Sequence, residues 1–157
     1  MLTISDAKHL FTIIHPICIC GKGQEHFVRE SFREELQKYI TGIIANKGQK
    51  LFAIYCMPDH VHILVSIKPD CRISDLIRDI KANSSSFIKE KTNLDEFRWQ
   101  EGYGAFSYSK SQAENVVNYI LNQPFHHKTK TFREEYLEFL KLYEIDYKEE
   151  YLFEFYL

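Results

Sequence analysis

The sequence has no unbroken apolar run of membrane-spanning length, no CxxC pair, no internal repeat, no low-complexity tract and almost no net charge. Its longest apolar stretch, around Leu10 to Cys20, is interrupted by His15 and Pro16 and lacks a basic segment before it, which argues against a signal peptide or a membrane span. The four cysteines, Cys18, Cys20, Cys56 and Cys71, form no metal or redox spacing and read as inert thiols of a reducing compartment, so the expected location is the cytoplasm, with no membrane partner. The formal charge of −2 conceals an asymmetry: from Arg133 onward, three basic and eight acidic residues leave a net of −5, and residues 1–132 carry +3. A mildly basic body with an acidic tail permits a nucleic-acid partner without requiring one, because phosphate binding needs a local basic surface rather than a basic total.

What is present is a chain of 157 residues, 45% hydrophobic and 27% charged, with 12 Phe and 10 Tyr, enough to bury one aromatic-rich core and too little for two. A single domain over 1–157 is expected, its core at about 8–123 and a helical, acidic tail at about 131–157. "HLFTIIHPICIC" (9–20) reads as a first strand closed by Gly21-Lys22-Gly23, with Pro16 a residue that belongs at a sheet edge or bulge. From Glu25 to Asn46, Phe32, Leu36, Tyr39, Ile40, Ile43 and Ile44 recur at helical spacing before Gly48. "KLFAIYCM" and "HVHILVSI", separated by Pro58-Asp59, predict two antiparallel strands and a tight turn.

A second helical stripe runs from about Ser74, a candidate N-cap, to Glu90, and "FRWQEGYGAFSYS" (97–109) predicts a fourth strand broken at Gly102 and Gly104. A third helix is expected from Ser109, with Gln112 in the capping-box position, an apolar side of Val116, Val117, Ile120 and Leu121, and an end at Pro124. A fourth is expected over about Thr131 to Tyr143. The order predicts an α+β fold: a ferredoxin-like βαββαβ sandwich, antiparallel sheet with helices on one face, plus C-terminal helices.

Within "MPDHVHILV", strand alternation places His60, His62 and Leu64 on one face and Val61, Ile63 and Val65 on the other. Two imidazoles on one face can converge on a divalent ion, although an HxH alone is also compatible with two hydrogen-bonded polar residues. In "NVVNYILNQPFHH", Tyr119 and Gln123 are four apart, so on a helix both side chains leave one face. Gln123 can offer a carbonyl oxygen to a metal. Tyr119 offers a phenol, a nucleophile that must lose its proton with help; taken alone, a tyrosine on an amphipathic helix is more often a core or interface residue.

Together, "PDHVHILV", "WQEGYGAFSYS" and "YILNQ" make the chain, from about Leu36 to Lys130, resemble the single-tyrosine HUH transposases, the insertion sequence 200-like and REP-associated tyrosine transposases. The resemblance implies that Tyr119 attacks a DNA phosphodiester to form a 5′-phosphotyrosine and a free 3′-hydroxyl, which later rejoins strands. It implies that His60, His62 and Gln123 hold Mg²⁺ or Mn²⁺. The substrate would be single-stranded DNA with hairpins, and a homodimer could share its active sites, with Gly102 and Gly104 supplying either flexibility or a bulge. A host-adapted enzyme nicking hairpin DNA, a non-catalytic DNA-hairpin-binding protein and an unrelated HxH hydrolase are the alternatives. For DNA contact the candidates are Arg78, Lys81, Lys89, Lys91 and Arg98, with Phe97 and Trp99 as stacking surfaces and His126, His127, Lys128 and Lys130 after the tyrosine helix.

Overall fold

Val61, Ile63 and Val65 are fully buried on one side of a strand whose other side carries His60, His62 and Leu64, and that alternation organises the molecule. The computed structural model describes residues 13–23, 26–126 and 129–142, and beyond them 146, 148, 149 and 152. Strands β1 (Ile13–Cys20), β2 (Lys50–Cys56), β3 (His60–Ser66), β4 (Gly104–Ala105) and β5 (Tyr108–Ser109) form one antiparallel sheet in the order β2-β3-β1-β4, with β5 also on β1. This is the expected α+β arrangement.

Helices α1 (Glu30–Asn46) and α2 (Ile73–Thr92) cover one face. Phe32, Leu36, Ile40 and Ile44 of α1 and Leu76, Ile77, Ile80 and Ile88 of α2 meet Val61, Ile63 and Val65 of β3 in the main core. Phe27, Phe97 and Trp99 close its lower end as an aromatic cluster with ring centroids 4.7, 5.1 and 5.3 Å apart. Trp99 Nε1–H donates to the buried Ser84 hydroxyl at 3.0 Å. The opposite face carries α3 (Ala113–Leu121), whose Ile120 packs with Ile14, Ala53, Leu64 and Tyr108. Helices α4 (Gln123–His126) and α5 (Phe132–Leu142) follow. No helix among the described residues is long and apolar enough to cross a membrane.

Several local expectations are corrected. Helix α1 starts at Glu30 rather than Glu25, and neither Arg29 before α1 nor Arg72 before α2 makes a side-chain cap, so Ser74 lies inside α2. Ser109 is not the cap of α3: its hydroxyl meets that of Ser111, and a 3₁₀ turn (Lys110–Gln112) precedes the helix. Leu121 is half exposed rather than on the packed side. The helix ends at Leu121, and Pro124 sits in the first turn of α4, where its missing N–H has no helical partner to lose. A reciprocal capping box does open α5, with Thr131 N–H on Glu134 and Glu134 N–H on the Thr131 hydroxyl.

Pro16 lies in the central strand, not at an edge, and the neighbouring chain explains how. Phe106 N–H donates to the Pro16 carbonyl at 3.0 Å, so the missing donor of Pro16 faces the segment between β4 and β5. The carbonyl left over there is that of Phe106, and the His15 ring, Nδ1 3.1 Å away, is positioned to bond it. A side chain one residue earlier thus replaces the ladder bond that proline cannot make. The fourth strand is in pieces at this point: an isolated bridge at Trp99, then β4, then β5.

Candidate active site

The turn Pro58-Asp59 joins β2 to β3 and is itself held by the backbone, Met57 N–H to His60 O, Gly21 N–H to Asp59 O and Val28 N–H to Pro58 O, all at 2.8 to 3.0 Å. That fixes the start of β3. The Asp59 side chain folds back so that its Oδ1 lies 2.6 Å from His60 Nδ1. A carboxylate only accepts, so Nδ1 donates to it and Nε2 is the nitrogen turned to His62. His60 Nε2 stands 3.1 Å from His62 Nε2, with the rings edge to face. A proton on one of the two nitrogens, or a cation shared by both, accounts for a separation this short.

Across the sheet, Cys20 is the register partner of His60 and Cys18 that of His62. Both thiols are buried, and burial, reinforced by the neighbouring Cys18, pushes the Cys20 thiol well above its ordinary value. At Cys20 that desolvation disfavours the reactive thiolate, in line with the expectation of an inert thiol.

Tyr119 comes from α3 on the same face, its ring centroid 6.4 Å from that of His62 and nearly perpendicular to it, within one chain. Its hydroxyl donates to Glu135 Oε1 of α5. Gln123 is fully buried, and its Nε2–H donates to the same Glu135 oxygen at 3.2 Å. The two residues meet although a helix break at Asn122 separates them, so they do not share one continuous helix as expected. Burial first, then the hydrogen bond and charge of Glu135, push the Tyr119 phenol far above its ordinary value, so at rest it is neutral. Gln123 Oε1 is buried with no hydrogen-bond partner among the described residues. A buried acceptor left open costs about 1–3 kcal/mol, which a cation would offset.

The donor set of two imidazoles and one amide oxygen suits Mg²⁺ or Mn²⁺, the orphaned Gln123 oxygen being the observation that favours an ion. No cluster of three or more His, Cys, Asp or Glu side chains able to hold a metal occurs among the described residues. Any ion here depends on Gln123 joining the histidine pair.

A cavity lined by Cys18, His62, Phe106, Tyr119, Glu135 and Tyr136 opens beside the tyrosine. Tyr136, next to Glu135, packs on Cys18 and Cys20 and lies so close to Gly104 that a Cβ there would stand 2.9 Å from its hydroxyl. Gly104 therefore serves close approach, and Gly102, with φ of +77°, a left-handed turn; neither is evidence of a hinge.

Among the described residues, none of the basic candidates lines that cavity. Arg78, Lys81, Lys89 and Lys91 belong to α2, on the helix-covered face opposite the imidazoles. Arg78 pairs with Asp75 and Asp79, Lys91 with Glu35, and Arg98, outside α2, with Glu96. Lys81 reaches the carbonyls of Gln100 and Gly102, and burial lowers its pKa. Lys130 pairs with Glu138; His127 and Lys128 lie outside the described residues, and of His126 only the backbone in α4 is described. Phe97 and Trp99 are core residues, not stacking surfaces, being 1% and 7% exposed. Phe97→Ala is accordingly expected to cost about 3–5 kcal/mol in urea unfolding.

Two site residues escaped the sequence reading. Asp59 carried a signal, a carboxylate directly before the first histidine at a turn, but was read as turn chemistry alone. Glu135 carried none, being brought to Tyr119 by a separate helix.

The chain is similar to known proteins in sequence and in fold. Residues 9–123 match the family described as "Transposase IS200 like". The chain is 24% identical over 125 residues to the ISDra2 transposase TnpA of Deinococcus radiodurans, covering 73% of this chain and 86% of that one. Among solved structures it resembles a protein of Deinococcus radiodurans described as a transposase, with TM-score 0.57, 20% identity and coverage of 72% and 92%. It also resembles a REP-associated tyrosine transposase bound to a REP hairpin, with TM-score 0.59, 16% identity and coverage of 74% and 69%.

Proposed function

Because this chain belongs to the family of IS200-like transposases, we propose that it cleaves and rejoins single-stranded DNA at hairpin-bearing ends through a 5′-phosphotyrosine on Tyr119. The observation that carries this reading is the meeting of Tyr119 with the His60–His62 pair on one sheet face, beside an open cavity. The hairpin-bound relative supports the substrate class.

His60, His62 and Gln123 would hold Mg²⁺ or Mn²⁺, which supplies charge stabilisation at the phosphate when bound. Asp59 fixes the His60 tautomer and ring, so that Nε2 rather than Nδ1 faces the site. Val116, Ile120 and Phe106 line the cavity beside the phenol, whose partial burial and contact with Glu135 favour its protonated form. The attack conserves the phosphoester bond in the covalent intermediate, so rejoining needs no nucleotide cofactor.

The test is incubation of the protein with labelled single-stranded DNA from the flanks of its own gene, with Mg²⁺ or Mn²⁺, followed by denaturing electrophoresis. A metal-dependent covalent adduct is expected. DNA that binds and forms no adduct with either ion would favour the non-catalytic hairpin-binding alternative. Asp59→Asn keeps the turn and weakens the support of His60; Mn²⁺ affinity measured by calorimetry is expected to fall about tenfold.

A further inference from the structure

A phenol that attacks phosphorus must surrender its proton, and one acceptor stands directly on the Tyr119 hydroxyl. His60 is engaged with Asp59 through one ring nitrogen and faces His62 through the other. Gln123 presents its amide N–H, not an acceptor, toward this point. The carboxylate of Glu135 accepts directly from the Tyr119 hydroxyl, the reacting atom itself. Building on the strand-transfer reading above, we infer that Glu135 is the catalytic base of this chain, and that the same oxygen holds the Gln123 amide by its N–H.

The placement of Glu135 is not that of a loose surface carboxylate. It sits in the first turn of α5, where a negative charge is favoured by the helix N-terminus. The Thr131–Glu134 capping box pins that turn on one side. Tyr136 pins it on the other, packed on Cys18, Cys20 and Gly104. The C-terminal helix thus belongs to the active site, although it follows the 9–123 segment matched by the family.

In the cleavage step the bond from the Tyr119 oxygen to phosphorus forms and the bond from phosphorus to the 3′ oxygen breaks. The phenolic proton passes to Glu135. The departing 3′ oxygen is protonated by solvent, which the Glu135 carboxylic acid resupplies. In rejoining, the 3′-hydroxyl attacks the tyrosyl phosphate and loses its proton to solvent, from which Glu135 regains one and passes it to the departing phenolate. No redox partner is needed.

Glu135→Gln keeps the volume and an acceptor oxygen and removes the base. In single-turnover reactions with hairpin-flanked single-stranded DNA and Mg²⁺, adduct formation is expected to slow by about 100-fold or more with DNA affinity unchanged. Glu135→Asp, which retains a carboxylate, is expected to stay within about tenfold of the parent. Replacing Tyr119 with a ring-fluorinated, more acidic tyrosine is expected to restore about tenfold of the rate in the Glu135→Gln background and far less in the parent, because an acidic phenol needs less help. A Glu135→Gln rate within about threefold of the parent would overturn the inference. So would a slow variant that the fluorinated tyrosine fails to restore, which would leave Glu135 a scaffold residue. In both cases the parent still forms its adduct, so the strand-transfer reading stands; absence of adduct from the parent would remove both.

Discussion

Tyr119→Phe is expected to bind hairpin-flanked single-stranded DNA as tightly as the parent and to form no covalent adduct, a loss of at least ~10⁴-fold in cleavage rate. The substitution deletes one oxygen. The ring stays within the partly buried cluster with Val116, Val117 and Ile120, so packing around α3 is retained. What disappears is the hydroxyl that donates to Glu135. Its removal leaves Glu135 with the Gln123 N–H still on the same oxygen, which limits the structural consequence and isolates the chemical one. Electrophoretic mobility shift and denaturing gels on the same reactions separate the two readouts. Cleavage at near-parental rate would show that a different group attacks.

His62→Ala is the second large effect, expected to lower adduct formation on the order of 10³-fold at saturating DNA and to abolish stimulation by Mn²⁺. His62 is the half-buried partner of the pair, whereas His60 is fully buried and tied to Asp59. Truncating His62 therefore removes one imidazole while leaving the other anchored, and His60 alone with Gln123 lacks one donor of the set. The measurement is the adduct rate as a function of Mn²⁺ concentration, with circular dichroism to establish that the sheet is intact. Unchanged metal dependence would place the ion elsewhere.

Much of this architecture was legible because burial imposes periodicity. The stripe Phe32, Leu36, Ile40, Ile44 and the alternation through His60–Ser66 each declare one buried face, and together they fix a helix packed on a sheet. The convergence of His60 with His62 followed from the same alternation. What stayed hidden depends on partners distant in sequence. Pro16 is compatible with a central strand only because the His15 ring stands against the Phe106 carbonyl, 91 residues away. The basic residues of α2 looked like a groove in one dimension, yet Asp75, Asp79 and Glu35 neutralise Arg78 and Lys91 on the face away from the tyrosine. Helix starts were misplaced because α1 and α2 begin without side-chain caps, leaving no local mark. Glu135 became visible only when α5 folded back beside α3 and α4.

The central claim concerns one oxygen atom, and it can be tested on the covalent adduct itself. After reaction with Mg²⁺ and hairpin-flanked single-stranded DNA, digestion with nuclease and trypsin leaves Tyr119 on the peptide 111–128 and Tyr136, which lines the same cavity, on the peptide 134–141. Mass spectrometry is expected to find the residual 5′-nucleotide phosphate on Tyr119 alone. A nucleotide on Tyr136, or on any residue other than Tyr119, would contradict the account.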